Sequence, residues 1–265
     1  MKKVLAFAMA LAMVFSMAGC GNGSNSGSTN SGGDEVETLK IGVVCPISGV
    51  SAIAGKYITN GVEVVENELG GKIDIKGKEY NIEFIYMDNE ASEEKTTNVF
   101  QKLIEEEKVI AIVGPDMSKC ALAAGPIAQN AKCPIVTTFA TNTAVTEVGD
   151  YIFRACFIDP FQGQMAAQYI WESGYETASI MFNNADAYAT GLKDAFIESY
   201  EALGGQILAI EEYSGSDVKD YNVQLTKLAA ANAESVFFPN LLSELGLQIQ
   251  QARSAGITCP IICGD

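Results

Sequence analysis

The chain has 265 residues, with 17 Lys or Arg against 33 Asp or Glu, a formal net charge of −16 and no histidine. A surface this acidic excludes nucleic-acid binding by phosphate neutralisation. The lack of imidazole excludes Ser-His-Asp and Cys-His catalysis and His-ligated zinc.

The N-terminus carries a targeting pattern. Met1-Lys2-Lys3 is a positive head, and Val4 to Phe15 is an uncharged apolar run. That run falls short of the ~20 residues a membrane-spanning helix needs, and it fits a secretory signal. Ser16-Met17-Ala18-Gly19-Cys20 then resembles the bacterial lipoprotein box. The resemblance implies a signal peptide over 1–19, removed before Cys20, which would carry lipid on its sulfur and amino group. Two or more acyl chains hold a protein stably on a membrane. Gly21 to Glu37 is almost entirely Gly, Ser, Asn and acidic residues. It has too little apolar surface to offset its ordering entropy, so 20–38 reads as a flexible tether behind the anchor.

From residue 39 short β-rich runs alternate with helical ones. Leu39–Cys45 reads as a strand, followed by a helix with Ile58, Val62, Val65 and Leu69 on one face and a stop at Gly70-Gly71. Tyr80–Met87 is the next strand, Lys95–Glu107 a helix, Val109–Val113 a strand closed by Gly114-Pro115, and 118–130 a helix that Ser118 could cap. Pro134–Thr138 and Tyr151–Ala155 complete the first series of strands. A second series runs helix 162–172, strand 177–182, helix 187–203, strand 206–213, helix 221–232, strand 235–238, helix 241–255 and strand 260–263. This alternation predicts βαβ units with parallel sheets covered by helices on both faces. The series also echoes itself. Gly55 through Leu69-Gly70-Gly71-Lys72-Ile73 parallels Gly191 through Leu203-Gly204-Gly205-Gln206-Ile207. The expected fold class is therefore α/β, with two Rossmann-like lobes at 39–156 and 157–265.

Motifs for chemistry are few. Gly49 to Tyr57 misses the phosphate-binding P-loop, with five residues between its glycines and Tyr57 where Ser or Thr belongs. No Gly-x-Gly-x-x-Gly follows a strand. Cys45, Cys120, Cys133, Cys156, Cys259 and Cys263 sit mostly among apolar neighbours and read as small buried hydrophobes, with a disulfide among them left open. Small polar residues do mark the corners where strands hand over to helices: Ser48-Gly49, Met117-Ser118 and Ala140-Thr141-Asn142. Helix N-termini at such corners suit an anion, although each residue also suits a plain capping role.

The stretches LKIGVVCPISG (39–49), VIAIVGPDMSKCALAAGPIAQ (109–129), PIVTTFATNTAVTEVGDYIFRACFIDPFQG (134–163), NNADAYATGLKDAFIESYEALGG (183–205) and LTKLAAANAESVFFPN (225–240) together resemble the type I periplasmic binding proteins. They are most similar to the leucine/isoleucine/valine-binding branch that serves ABC importers. The resemblance implies two hinged lobes that hold an amino acid, branched-chain or otherwise aliphatic, and deliver it to a permease and ATPase complex. It implies no catalysis, no cofactor and no metal. The same fold also serves as a ligand-sensing receptor domain that reports to a signalling partner.

By the same resemblance, Ser118 and Thr141 would hold the ligand's carboxylate and amino group. Phe139 and Ala140 would contribute backbone contacts, Tyr188 would cover the ligand from the second lobe, and Asp265 would pair with its ammonium. Ala54 and Leu241-Leu242 stand where relatives carry aromatics, which implies a roomier, more aliphatic slot. Members of the family run beyond the point that Asp265 matches and cross back to the first lobe, so the resemblance implies an incomplete first lobe, from a truncated gene or a fragment. The implied location is the extracytoplasmic face of a membrane, on a single-membrane cell or in a periplasm.

Overall fold

A computed structural model describes residues 36–264. The signal, Cys20 and tether assignments and Asp265 lie outside the described residues. The first strand, β1 (Thr38–Cys45), leads into α1 (Ala52–Leu69), which ends where Gly70 takes a left-handed conformation and its N–H bonds to the Glu66 carbonyl. A hairpin of β2 (Lys72–Ile75) and β3 (Lys78–Asp88) follows, then α2 (Glu93–Glu105) and β4 (Ala111–Val113). Ser92 starts α2 by accepting the Lys95 N–H, with Glu93 and Glu94 in the first turn where the helix dipole favours them. Next come α3 (Ser118–Ala131), β5 (Ile135–Thr137), a single turn α4 (Ala144–Glu147) and β6 (Ile152–Arg154).

The second half begins with α5 (Asp159–Glu172), then β7 (Thr177–Asn183) and α6 (Ala187–Leu203). It continues through β8 (Gln206–Tyr213), α7 (Asn222–Ala231), β9 (Ser235–Phe238), α8 (Leu242–Ser254) and β10 (Ile261–Cys263). Two sheets result, in the orders β2-β3-β1-β4-β5-β6 and β10-β9-β7-β8. All pairings among the described strands are parallel except β2 with β3. This is the expected α/β class, with one sheet built from residues 38–154 and the other from 177–263.

Three local readings need correction. The β2–β3 hairpin was not expected. It turns through Lys76 and Gly77, both at positive φ, with the Asp74 carboxylate accepting the Gly77 N–H. The β2 half alternates charged with apolar residues and is mostly exposed, which left no apolar run to read, whereas the β3 half contains the expected strand Tyr80–Met87. Leu69-Gly70-Gly71 and Leu203-Gly204-Gly205 do both end helices with left-handed glycines. The first then opens an antiparallel hairpin and the second a parallel strand. Ser118 does not cap α3; Met117 holds the cap position, and the Ser118 hydroxyl accepts the Asn142 N–H instead.

Cores lie on both faces of each sheet. Phe100, Leu103, Ile112 and Ile135 fill one face of the first, while Val43, Cys45, Ile58 and Val62 fill the other. Of the expected apolar stripe on α1, Val65 stays exposed. In the second half, α5 and α6 pack on one face through Ile170, Leu192, Phe196 and Tyr200. Phe196 stacks on Phe237 at 4.3 Å and on Tyr200 at 5.3 Å. All six described cysteines are free, and no helix among the described residues is long and apolar enough to cross a membrane. Because Phe237 is fully buried in that stack, Phe237→Ala should lower stability by ~3–5 kcal/mol. Urea unfolding followed by circular dichroism would measure it, and a loss below ~1 kcal/mol would mean that the stack is not a core.

Candidate functional site

In the first sheet β1 lies between β3 and β4, so the loops after β1 and β4 leave in opposite directions. In the second, β7 lies between β8 and β9 in the same way. Crevices open at the carboxyl ends of strands at such reversals. The cavity is found there, about 430 Å³ in volume and within the range of small-molecule sites. The first half lines it with Val50, Ser51, Ile53, Ala54 and Tyr57 after β1, Asp116 to Ser118 after β4, and Phe139 after β5. The second contributes Asp186 and Tyr188 after β7, and Leu241 to Ser243 after β9.

The wall after β1 is fixed by Asp88 at the end of β3. Its carboxylate accepts the Ile47 N–H at 2.9 Å and the Ser48 hydroxyl at 2.6 Å. Burial raises its pKa, but the bonds from Ser48, Glu90 and Ile47 outweigh that and hold the carboxyl below its usual value. After β4, Gly114 sits at φ +108, and a Cβ there would lie 2.1 Å from the Val44 carbonyl. Only glycine lets the chain pass β1 this closely and turn Asp116 into the cavity wall.

Of the residues singled out from the sequence, Ala54, Ser118, Phe139, Tyr188 and Leu241 line this one cavity. Ala140 and Thr141 do not; both are fully buried. Arg154 donates to the carbonyls of Ala140, Asn142 and Thr143 and to the Thr146 hydroxyl, which fixes this loop. The Thr141 hydroxyl is sealed from solvent and has no hydrogen-bond partner. The Asn142 amide reaches across to the Ala187 carbonyl at 2.8 Å and ties the first half to the start of α6. Gly264, just before Asp265, packs so closely on Tyr188 that a Cβ there would lie 2.2 Å from its hydroxyl.

A buried amide network supports the wall in the second half. Asn240 accepts the Asn183 N–H and donates to the Met181 carbonyl and to Gln248, which donates to the Tyr213 hydroxyl. Asn183 in turn donates to Glu244, whose carboxyl is pushed up by burial. Asp186 caps α6 by accepting the N–H groups of Tyr188 and Ala189.

The sequence reading missed both carboxylates of the cavity. Asp116 is only 3% exposed, and its Oδ1 is buried without a partner. Burial pushes its carboxyl up to about 6, and nearby N–H groups and Lys119 pull it back only part way. The signal was present, since Asp116 lies two residues before Ser118 at the end of an expected strand. An acid whose folded pKa lies above its unfolded value favours the unfolded chain once that chain ionises. The folded state therefore loses stability as pH rises from about 4 to about 6, and the loss persists above that. Asp116→Asn should raise stability over wild type by ~1–3 kcal/mol at pH 8 and by much less at pH 4.5. Urea unfolding at both values checks it, and an equal or lower stability of the variant at pH 8 would contradict it.

Comparison with known proteins places this geometry. The chain is 29% identical over 226 residues to an amino acid binding protein of Pseudomonas aeruginosa, covering 85% of this chain and 60% of that protein. It superposes on the leucine binding protein LivK of Thermotoga maritima with a TM-score of 0.80 and 29% identity, over 85% of this chain and 63% of the other. It also matches the branched-chain amino acid transporter substrate binding protein LivJ of Streptococcus pneumoniae, solved in complex with isoleucine, with a TM-score of 0.77 and 31% identity over 86% and 64% of the two chains. The chain thus spans about three fifths of the length of these relatives. The family described as periplasmic binding protein matches residues 38–263. With both sheets, both strand reversals and the cavity between them inside that match, the chain belongs to the periplasmic binding protein family.

Proposed function

We propose that this protein is an extracytoplasmic solute-binding lipoprotein that captures an amino acid with an aliphatic side chain and passes it to the permease of an ABC importer, with no catalytic step of its own. The observation that carries this reading is the cavity itself. Val50, Ile53, Ala54, Phe139, Leu241 and Leu242 give it apolar walls, and Ser118 stands at the start of α3, whose cap position makes no side-chain bond. An uncapped helix N-terminus with a hydroxyl beside it suits a carboxylate, and the apolar walls suit an aliphatic side chain.

In this reading Ser118 and Thr141 hold the polar end of the ligand, with backbone groups of Phe139 and Ala140 beside them. Tyr188 covers the ligand, Ala54 and Leu241 bound the side-chain slot, and Asp265 takes up the ammonium. The burial of Thr141, its hydroxyl unpartnered, supports a role that only a ligand or a shift of the loop would complete. Residues 39–156 and 157–265 act as the two lobes.

A thermal-shift screen of amino acids, with sugars, phosphates and aromatic acids as comparison, tests the assignment. Leucine or a similar aliphatic amino acid should raise the melting temperature, and Ser118→Ala and Thr141→Ala should each weaken its binding by ~1–3 kcal/mol. Shifts with sugars or phosphates, and none with amino acids, would refute the reading.

The anchor has its own test. Expressed in a bacterium, the wild-type chain should partition into the detergent phase of a Triton X-114 extract. Cys20→Ser should remain an uncleaved precursor or appear as soluble protein. Wild-type protein found wholly in the aqueous phase would rule out lipidation.

A further inference from the structure

The cavity holds two acids that an aliphatic slot has no use for. Asp116 enters from the first half and Asp186 from the second. Among the described residues that line the cavity there is no Lys or Arg. The two carboxylates differ in their commitments. Asp186 is engaged in capping α6, where two N–H groups and the helix dipole offset its charge. Asp116 caps nothing. Met117 occupies the cap position of α3 without a side-chain bond, and Asp116 keeps an oxygen buried and unpartnered. The Asn89 side chain, the Asp116 and Met117 N–H groups and Lys119 favour the charged form, yet Oδ1 stays unmet, and a buried polar atom without a partner is unfavourable. A group that remedies this from the cavity side must donate a hydrogen bond, and one that carries positive charge also offsets the charge of the carboxylate.

We propose that Asp116 is an acceptor, additional to Asp265, for a cationic nitrogen of the ligand, so that the cavity selects ammonium-bearing molecules and discriminates against carboxylic acids that lack one. This rests on the cavity being the ligand site. The ammonium has two sources, the α-ammonium of an aliphatic amino acid or the side-chain ammonium of a diamino acid.

The surroundings give the assignment a pH signature. The titratable groups near Asp116 are Cys45 at the end of β1 and Lys119 and Cys120 on α3, with Asp186 and Tyr188 across the cavity. Burial pushes the Cys45 and Cys120 thiols up to about 11, so they stay neutral. With its own value about 6, Asp116 must release its proton to meet an ammonium at lower pH. Affinity for such a ligand should therefore rise about tenfold from pH 5 to pH 7.

Isothermal titration of the full chain with leucine, 4-methylpentanoate, lysine, norleucine and isopentylamine tests this. Ammonium ligands should bind with the pH rise, and Asp116→Asn should weaken them at least tenfold and flatten the profile. Binding of 4-methylpentanoate, if present, should not change. An effect shared by leucine and norleucine assigns the α-ammonium; an effect confined to lysine assigns the side-chain one. Amino-acid binding that is unaltered in Asp116→Asn, with the same pH profile, overturns the proposal and leaves the amino-acid reading intact. Isopentylamine binding that depends on Asp116, with no amino acid bound, supports the proposal and overturns that reading. Failure of leucine, lysine and isopentylamine alike to bind wild type overturns both.

Discussion

Strand β1 pairs with β3 on one side and β4 on the other, all three parallel, and the rest of the molecule follows from that arrangement. Parallel pairing sends every carboxyl end to the same edge, and each return must cross a face of the sheet in a helix. Because the chain moves to one side of β1 for β3 and to the other for β4, the two loops that flank the reversal part and leave a crevice. Strand β7 repeats the arrangement between β8 and β9. The cavity lies where loops from both reversals meet, and every side chain that lines it comes from a loop or the first turns of the following helix.

Two helix N-termini face this space, and the chain treats them differently. The α6 terminus is closed by Asp186, so its N–H groups are spent within the fold. The α3 terminus has no such side chain, and Ser118 there accepts the Asn142 N–H. Beside it stands Asp116. One corner therefore sets an uncapped helix start beside a carboxylate, the complement of the zwitterion in the proposed reading. Rigid support lies behind this corner and the facing wall. Arg154 braces the Ala140–Thr146 loop, and the Asn240, Asn183 and Gln248 amides brace the ends of β7 and β9.

Much of the fold was legible because the buried strands are continuous apolar runs. Val43-Val44-Cys45 and Ser235 to Phe238 are buried on both faces, which leaves no other reading for segments so short. Strand β3 was read as Tyr80–Met87, but β2 and the hairpin that joins them were not legible, because β2 is a short, mostly exposed edge strand and the turn runs on Lys76-Gly77 rather than an Asn-Gly pair. In the site, hydroxyls at strand ends were easy to pick out, since a Ser or Thr there has a ready capping role. Asp116 was passed over for the same reason. The sequence places an acid one residue ahead of the helix cap, but it does not say that one oxygen of that acid will be buried without a partner. That depends on Gly114 bringing the chain against β1.

Burial sets the character of the site. Some core polar groups are linked in networks, as where Gln248 links Asn240 to Tyr213, while others, such as the Ser179 and Thr137 hydroxyls, are buried without a partner as Asp116 Oδ1 is. At the cavity Asp116 Oδ1 is buried without a partner, while Val50, Ile53, Tyr57 and Phe139 are apolar and exposed. Both departures oppose folding, and the proposed ligand, with its polar head and apolar body, would correct both. In that reading part of its binding energy is the instability that the fold retains without it.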